Sequence, residues 1–591
     1  MAVDFDLLLP DIGEYGTYQK FLIWFVLLPG FFPCGFHAYN QLFLTTNYDH
    51  WCKVPELDGL NLTMEEVKNL SIPYQIQHGR PKYNQCHQFL RNYSEIAESL
   101  AAGGSLNDLV PETDVLRVPC SNGHQFQVNS GESSIISEWQ IVCDLNFYPT
   151  LALVIFGASG LIGNWIFGYI QDGIGRRPAF FIYLVIQSVF GILTAIAPEF
   201  WSWVIFRVGV GFTVPAIMGT PFVLAIELVG PSWRTHVTLL ANVVYSICLV
   251  LLSFVVWSVR DWRYMSLTTC LPFFIFFSYW WIMPESPRWL IARNRVEEAE
   301  IIIRRMAKWN KKDLSFEFYE KLRQKEDDPH SEEEVERVYG VLHLLKTPNL
   351  AKKFLIVTFI WFTVTSVYVG LSYYAPVLGG NEYLNFFLAG AAELPTYLLL
   401  FPTMNRWGRR WVLWASMIIG GAACLGTVLS EDDYVTTLVL YCIGKSGISS
   451  AFVVLPLFAS ELYPTVVRGI GLSISAVAGM LGPVFIPLVN YMGEEYISLP
   501  LIVMGSLMLI GGNCALLLPE TLHQNLPQTL EDGEQFGKQF GFKDFWNCCP
   551  VKPSKSSAEN RPLFNSNNNF MEKKLTAMLL KHQTKDSTFL K

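Results

Sequence analysis

Five charged residues stand inside long apolar runs of this chain: Arg207, Glu227, Glu393, Lys445 and Glu461. An ionised side chain in a bilayer is expensive, so each marks a place where charge is used. Glu393 and Lys445 lie deepest in their runs. An acid and a base at that depth can recognise a small molecule bearing either or both charges, or can neutralise each other across two helices. The run around residue 361 also concentrates Trp361, Phe362, Tyr368, Tyr373 and Tyr374. Phe and Tyr faces attract an alkylammonium by about 2 kcal/mol when desolvated. Packing or lipid contact is the ordinary role for a lone intramembrane aromatic. Glu393 is followed by Pro395, which lacks an N–H and is expected to distort its helix and free a carbonyl.

These residues need helices to hold them in the membrane. Of 591 residues, 51% are hydrophobic and only 16% charged, against about 25% charged in soluble domains. Twelve runs have spanning length. They lie near 21–43, 148–170, 178–197, 202–224, 236–258 and 264–283, then 354–378, 384–404, 411–430, 435–458, 469–491 and 498–518. The chain reads as an all-α membrane protein. Residues 1–20 form a cytoplasmic amino terminus. Residues 21–283 form a first six-helix half that includes a loop at 44–146. A cytoplasmic segment at 284–352 leads to a second half at 353–518 and a cytoplasmic, disordered tail at 519–591.

The loop at 44–146 has its own chemistry. It carries Cys52, Cys86, Cys120 and Cys143, with glycosylation sequons at Asn61, Asn69 and Asn92. An even cysteine count beside clustered sequons indicates an oxidising, extracellular compartment. Four cysteines allow three pairings, and all three stay open. The loop also holds −7 of the chain's net −8 charge. The connectors at Arg176–Arg177, Arg234, Arg406/Arg409/Arg410 and Arg468 are basic and fall on the other face, as cytoplasmic connectors do. The adjacent Cys548 and Cys549 are candidates for palmitoylation, an unmodified pair being the simpler reading.

The chain is internally duplicated. Asp172-Gly-Ile-Gly-Arg176-Arg177 follows the second run and Arg406-Trp-Gly-Arg409-Arg410 the eighth. Glu227 and Arg234 are repeated by Glu461 and Arg468, and Pro284-Glu-Ser by Pro519-Glu-Thr. The offsets all fall between 233 and 235 residues. Two similar six-helix halves are a transporter architecture. A carboxylate at Asp172 can face the positive amino end of a helix in the opposite half. Glu227 and Glu461 can bridge Arg176, Arg177, Arg409 and Arg410 across the halves, giving a contact that breaks and reforms.

Asp172-Gly-x-Gly-Arg-Arg resembles the loop signature of the major facilitator superfamily. Within it the chain resembles the solute carrier 22 family of organic cation, carnitine and zwitterion transporters. The resemblance rests on Asp49-His-Trp-Cys52, Ser137-Glu-Trp-Gln-Ile-Val-Cys-Asp144, Pro284-Glu-Ser-Pro-Arg-Trp-Leu290, Trp361-Phe-Thr363, Glu393-Leu-Pro395 and Glu461-Leu-Tyr-Pro-Thr-x-x-Arg468. It implies a twelve-helix fold with two pseudo-symmetric halves and a gate around Asp172. It implies cavity positions at Asn242, Tyr245, Trp361 and Tyr368. It also places Met480 where relatives carry the Asp or Arg that sets substrate sign. With that charge absent, a small amine or zwitterion is the expected substrate, ahead of an organic anion or a non-transporting receptor.

Other classes find no support. Gly444-Lys445-Ser446 lacks the first glycine of a phosphate-binding loop, because residue 439 is Val. No zinc-protease or nucleophile-elbow motif occurs, so the chain reads as a non-enzyme with neither cofactor nor metal. Its acidic balance gives no nucleic-acid footprint. The expected partners are the lipid bilayer and a small organic cation or zwitterion, with the coupling ion left unassigned.

Overall fold

A computed structural model describes residues 5–538, apart from 78–79, 104–105, 110–114, 315–317, 319–340, 431–432, 494–495, 497, 523 and 525. Nine helical segments in it are long and apolar enough to cross a membrane: Thr17–Leu44, Cys143–Ile174, Arg176–Ala195, Phe200–Glu227, Pro231–Ser258, Pro348–Leu378, Arg409–Ser430, Tyr434–Leu462 and Arg468–Met492. The sixth, eighth and twelfth predicted spans are broken or shorter. The sixth is Trp262–Thr268 followed by a 3-10 stretch, Leu271–Trp281. The twelfth is Leu499–Ala515.

The eighth span breaks in two, Glu382–Ala391 and Glu393–Trp407. Pro395 sits in the first turn of the second piece, where its missing N–H disrupts least. Glu393 therefore opens a half-helix, where the backbone dipole favours a carboxylate. The Ala392 carbonyl at the break accepts a hydrogen bond from Ser446 Oγ of the tenth span, at 2.9 Å. The eleventh span also breaks, after Gly479, at Met480 and Leu481. Here the chain presses on the seventh span. A Cβ on Gly482 would lie 2.7 Å from Ser366 Cα, so only glycine fits.

The halves meet through aromatic contacts near the ends that carry the polar loop. Phe43 packs on Phe386 and Tyr383, at ring distances of 5.3 and 5.8 Å. Phe254 meets Phe387 at 5.5 Å, and Phe147 meets Tyr491 at 5.3 Å. Each pair joins one half to the other and helps close the outer face.

The polar loop folds over that face on three two-stranded antiparallel ribbons: His50–Cys52 with His124–Phe126, Tyr74–Gln77 with Arg80–Tyr83, and His87–Phe89 with Arg117–Pro119. Of the three open pairings, the fold selects Cys52–Cys120 and Cys86–Cys143. The first pairing follows from the ribbons, which bring residues 50–52 beside 124–126. Glu132–Arg260 and Glu138–Arg263 ion pairs tie the loop to the start of the sixth span. Asn61 and Asn92 are exposed. Asn69 is half-buried, its Oδ1 accepting from Tyr74 and Tyr83 hydroxyls at 2.9 and 2.6 Å. Replacing Cys52 or Cys120 with Ser removes a cross-link over 68 residues. Such a loss is worth about 2–5 kcal/mol. The expected result is a sharp fall in surface protein by biotinylation. Wild-type amounts would remove the disulfide from the stability of this loop.

At the opposite end, helices Pro287–Ala292 and Val296–Trp309 follow the sixth span. The tail is not wholly without structure: Leu530–Gln535 is helical, and Glu534 accepts from the Asn349 and Leu350 N–H groups at the amino end of the seventh span, each at 3.0 Å. The rest of the predicted disordered tail, from 539 on, and Cys548 and Cys549 lie outside the described residues.

Candidate functional site between the two halves

Glu393 and Lys445 lie almost wholly out of reach of solvent, at 0% and 1% exposure. Lys445 Nζ stands 3.1 Å from Glu393 Oε1. The other carboxylate oxygen accepts from Ser246 Oγ at 2.5 Å, Tyr397 at 3.1 Å and Tyr368 at 3.4 Å. Lys445 donates to Ser372 Oγ at 2.6 Å and to the Tyr368 carbonyl at 3.2 Å. Its ammonium also sits 3.6 Å from the Tyr368 ring centroid. A buried pair survives only when its charges are offset. These neighbours satisfy Glu393 Oε2 and the Lys445 ammonium, while Glu393 Oε1 has the Lys445 charge beside it but no hydrogen-bond partner among the described residues.

The arrangement is built from four spans. Ser246 comes from the fifth, Tyr368 and Ser372 from the seventh, Glu393 and Tyr397 from the eighth, and Lys445 from the tenth. Tyr368 and Ser372, like Glu393 and Tyr397, are four residues apart and share a helix face. Ser246 is the only member from the first half in the hydrogen-bond set just given, so its bond to Glu393 crosses between halves.

The remaining predicted cavity residues have other neighbours. Phe452 stacks on Tyr368 at 5.1 Å and meets Trp361 edge-on at 6.4 Å. Trp361 Nε1 is buried without a partner among the described residues. Asn242 turns back on its own helix, donating to the Thr238 carbonyl at 2.8 Å. Tyr245 is half-buried beside Gly35 of the first span. Met480 is half-buried at the break in the eleventh span. Four residues outside the sequence prediction, Ser246, Ser372, Tyr397 and Phe452, join the site.

At the end opposite the polar loop, the charges are arranged differently from the expected cross-half bridge. Arg176 pairs with Glu227 at 3.0 Å within the first half, and Arg409 pairs with Glu461 at 3.2 Å within the second. The Asp172 side chain is 71% exposed and lies 3.4 Å from Arg176, not at a helix end of the other half. Arg177 donates to the Trp280 carbonyl at 2.5 Å, and Arg410 to that of Leu518 at 3.5 Å. Arg468 reaches the Tyr463 carbonyl at 3.3 Å, whereas its counterpart Arg234 pairs with Asp6 at 2.6 Å. Among the described residues, no ion pair joins the two halves at this end. With the outer face packed together, these charges close on partners within their own half.

The acids of the repeated Pro-Glu-Ser/Thr motif, assigned no role from sequence alone, act here. Glu285 accepts from the Arg176 and Arg177 N–H groups at 2.9 and 3.2 Å, and Glu520 from those of Arg409 and Arg410 at 2.9 and 3.1 Å. Each caps the amino end of the third or ninth span. Gly175 and Gly408, at φ 105° and 86°, make room, because a Cβ on either would strike the capping carboxylate. Burial raises the Glu285 carboxyl above its usual range, against the N–H donors and Arg176, which lower it. Glu285→Ala and Glu520→Ala are each expected to destabilise the protein by about 1–3 kcal/mol. The measurement is the melting temperature of purified protein in detergent. An unchanged value for both would sink the capping account.

Residues 103–531 match the model of the family described as sugar (and other) transporter. The chain is 47% identical to a Drosophila melanogaster beta-alanine transporter, over 93% of this chain and 91% of that one. It is 42% identical to a carcinine transporter of the same organism, over 93% and 81%. With the human organic cation/carnitine transporter 2 it shares 30% identity, over 89% and 93%. Among solved structures, the E. coli xylose transporter has the same fold: one structure superposes at a TM-score of 0.54 with 18% identity, over 67% of this chain and 91% of that one. The duplicated halves, the repeated loop motifs and these matches agree: the chain belongs to the sugar (and other) transporter family of the major facilitator superfamily, within the solute carrier 22 group of organic cation and carnitine transporters.

Proposed function

We propose that this multi-pass membrane protein is a plasma-membrane carrier, not an enzyme, that moves small organic cations or zwitterions by alternating access. Amines, carnitine-like compounds and amino-acid derivatives form the substrate class, and beta-alanine and carcinine are the first candidates. The observation that carries the reading is the buried Glu393–Lys445 pair, bonded to the first half through Ser246.

A substrate ammonium replaces Lys445 as the partner of Glu393 and takes the face of Tyr368 that Lys445 now occupies. Trp361 and Phe452 extend that aromatic wall, and Met480, Asn242 and Tyr245 shape the rest of the cavity. Because Ser246 and Glu393 belong to opposite halves, exchanging the partner of Glu393 changes how the halves bind each other. That is the differential contact a rocking transition requires. Arg176–Glu227 and Arg409–Glu461 brace the cytoplasmic end of each half. Asp172, Arg177, Arg410 and Arg468 form the cross-half contacts only when that end closes. Both termini are cytoplasmic, by the basic connectors.

Radiolabel uptake in transfected cells tests the reading with beta-alanine, carcinine, carnitine and an organic acid. Saturable uptake of amines or zwitterions is the expected result. Uptake confined to the acid would replace it with an anion carrier. Tight binding without accumulation would replace it with a receptor.

A further inference from the structure

Arg207 is 1% exposed and has only neutral partners. Its Nε donates to Gln41 Oε1 and its Nη2 to the His37 carbonyl, both at 3.0 Å. Its guanidinium lies 4.7 Å from the Phe156 ring. No carboxylate pairs with it among the described residues. Leaving a cation buried without an anion costs several kcal/mol. The surrounding side chains are also incomplete: Gln41 Nε2, His37 Nδ1 and Asn40 Oδ1 are buried with no partner among the described residues. A guanidinium with its planar fork of donors, beside a spare amide N–H, is the donor set that takes a small anion.

The cluster adjoins the central site. Tyr39, next to Asn40 and Gln41 in the chain, meets the Tyr373 ring at 6.0 Å, and Tyr373 follows Ser372, which holds Lys445. Arg207 lies seven residues into the helix that starts at Phe200, about 10 Å along its axis from the extracellular end. We infer that Arg207 and the Gln41 amide form a subsite for a single negative charge. Its ligand is the carboxylate of a zwitterionic substrate, or a chloride that accompanies a cationic one. The inference rests on the reading above that the carrier moves cations or zwitterions. It supplies an anion-binding group in a chain that has Met480 at the position where relatives carry a charge.

The test uses the full-length carrier in cells, with surface amount measured by biotinylation. The probes are beta-alanine, which has a carboxylate, and carcinine, which has none, each in chloride and gluconate media. With a substrate carboxylate in the subsite, Arg207→Gln raises the half-saturation concentration for beta-alanine at least about tenfold and leaves that for carcinine within about twofold. With chloride in the subsite, wild-type carcinine uptake falls in gluconate, and the variant's uptake ignores the medium. Unchanged kinetics for both probes, or equal loss of both without chloride dependence in either protein, overturns the subsite. If the Gln variant fails to reach the surface, Arg207→Lys keeps the charge and is read the same way. It must separate the two probes or alter the chloride response, and equal behaviour overturns the subsite. Absence of uptake by the wild type would refute the carrier reading itself, so the two failures are distinct.

Discussion

Glu393→Gln is expected to raise the half-saturation concentration for a positively charged substrate by at least about tenfold, the equivalent of losing one charged hydrogen bond of about 1.5–3 kcal/mol. Gln preserves the shape of Glu393 and can still accept from Ser246 and Tyr397, so the hydrogen bond between halves survives. What disappears is the negative charge that an ammonium needs. Lys445 loses its counter-ion, but the Ser372 hydroxyl, the Tyr368 carbonyl and the Tyr368 ring remain around it. Uptake kinetics normalised to surface protein give the answer. An unchanged half-saturation concentration at normal expression would make Glu393 dispensable for binding. A fall in surface protein alone would make its role structural.

Lys445→Met is expected to have the larger effect on folding. It leaves Glu393, which is fully buried, without a cation. Breaking one side of a buried pair costs about 3–5 kcal/mol, because the desolvation of the remaining charge is no longer offset. The variant should therefore be scarce at the surface and melt at lower temperature. The double variant Glu393→Gln/Lys445→Met removes both charges and should recover stability, since a neutral replacement of a buried pair is often tolerated. It should not recover uptake. This pattern, rescue of fold without rescue of function, separates the two uses of the pair. Additive losses in stability, measured as a double-mutant cycle in detergent, would show that the two charges do not support each other.

Much of the molecule was legible from residue types alone. Apolar length located the spans, because every backbone polar group in a bilayer must be satisfied within a helix. The near-constant offset between repeated motifs divided the chain into two halves. Pro395 pointed to a distortion of the eighth span, which breaks three residues earlier, at Ala392. Tyr397 was within reach of the same reasoning, since it follows Glu393 by four residues on one helix. Ser246 was not, because nothing beside it in the chain distinguishes it from other intramembrane serines.

The charged loops pair within each half in this structure, and sequence alone does not distinguish that from a bridge between halves. Equivalent residues of two duplicated halves occupy equivalent places, each in its own half. A repeated Arg and Glu therefore fit a bridge within a half as well as one between halves. The structure chose the first, Arg176 with Glu227 and Arg409 with Glu461. Likewise, the count of four loop cysteines established that two bridges were needed. Only the pairing of strand His50–Cys52 with His124–Phe126 brought Cys52 to Cys120.

By itself the sequence determined the membrane class, the duplication and the short roster of buried charges, because each follows from the cost of placing a residue type in lipid or water or from the repeated spacing of motifs. The tertiary structure decided which of those charges meet. Glu393 and Lys445 are separated by a complete intervening span, and their contact depends on how the eighth and tenth helices are rotated and how deep each sits. Those are properties of packing among spans, and no local pattern encodes them.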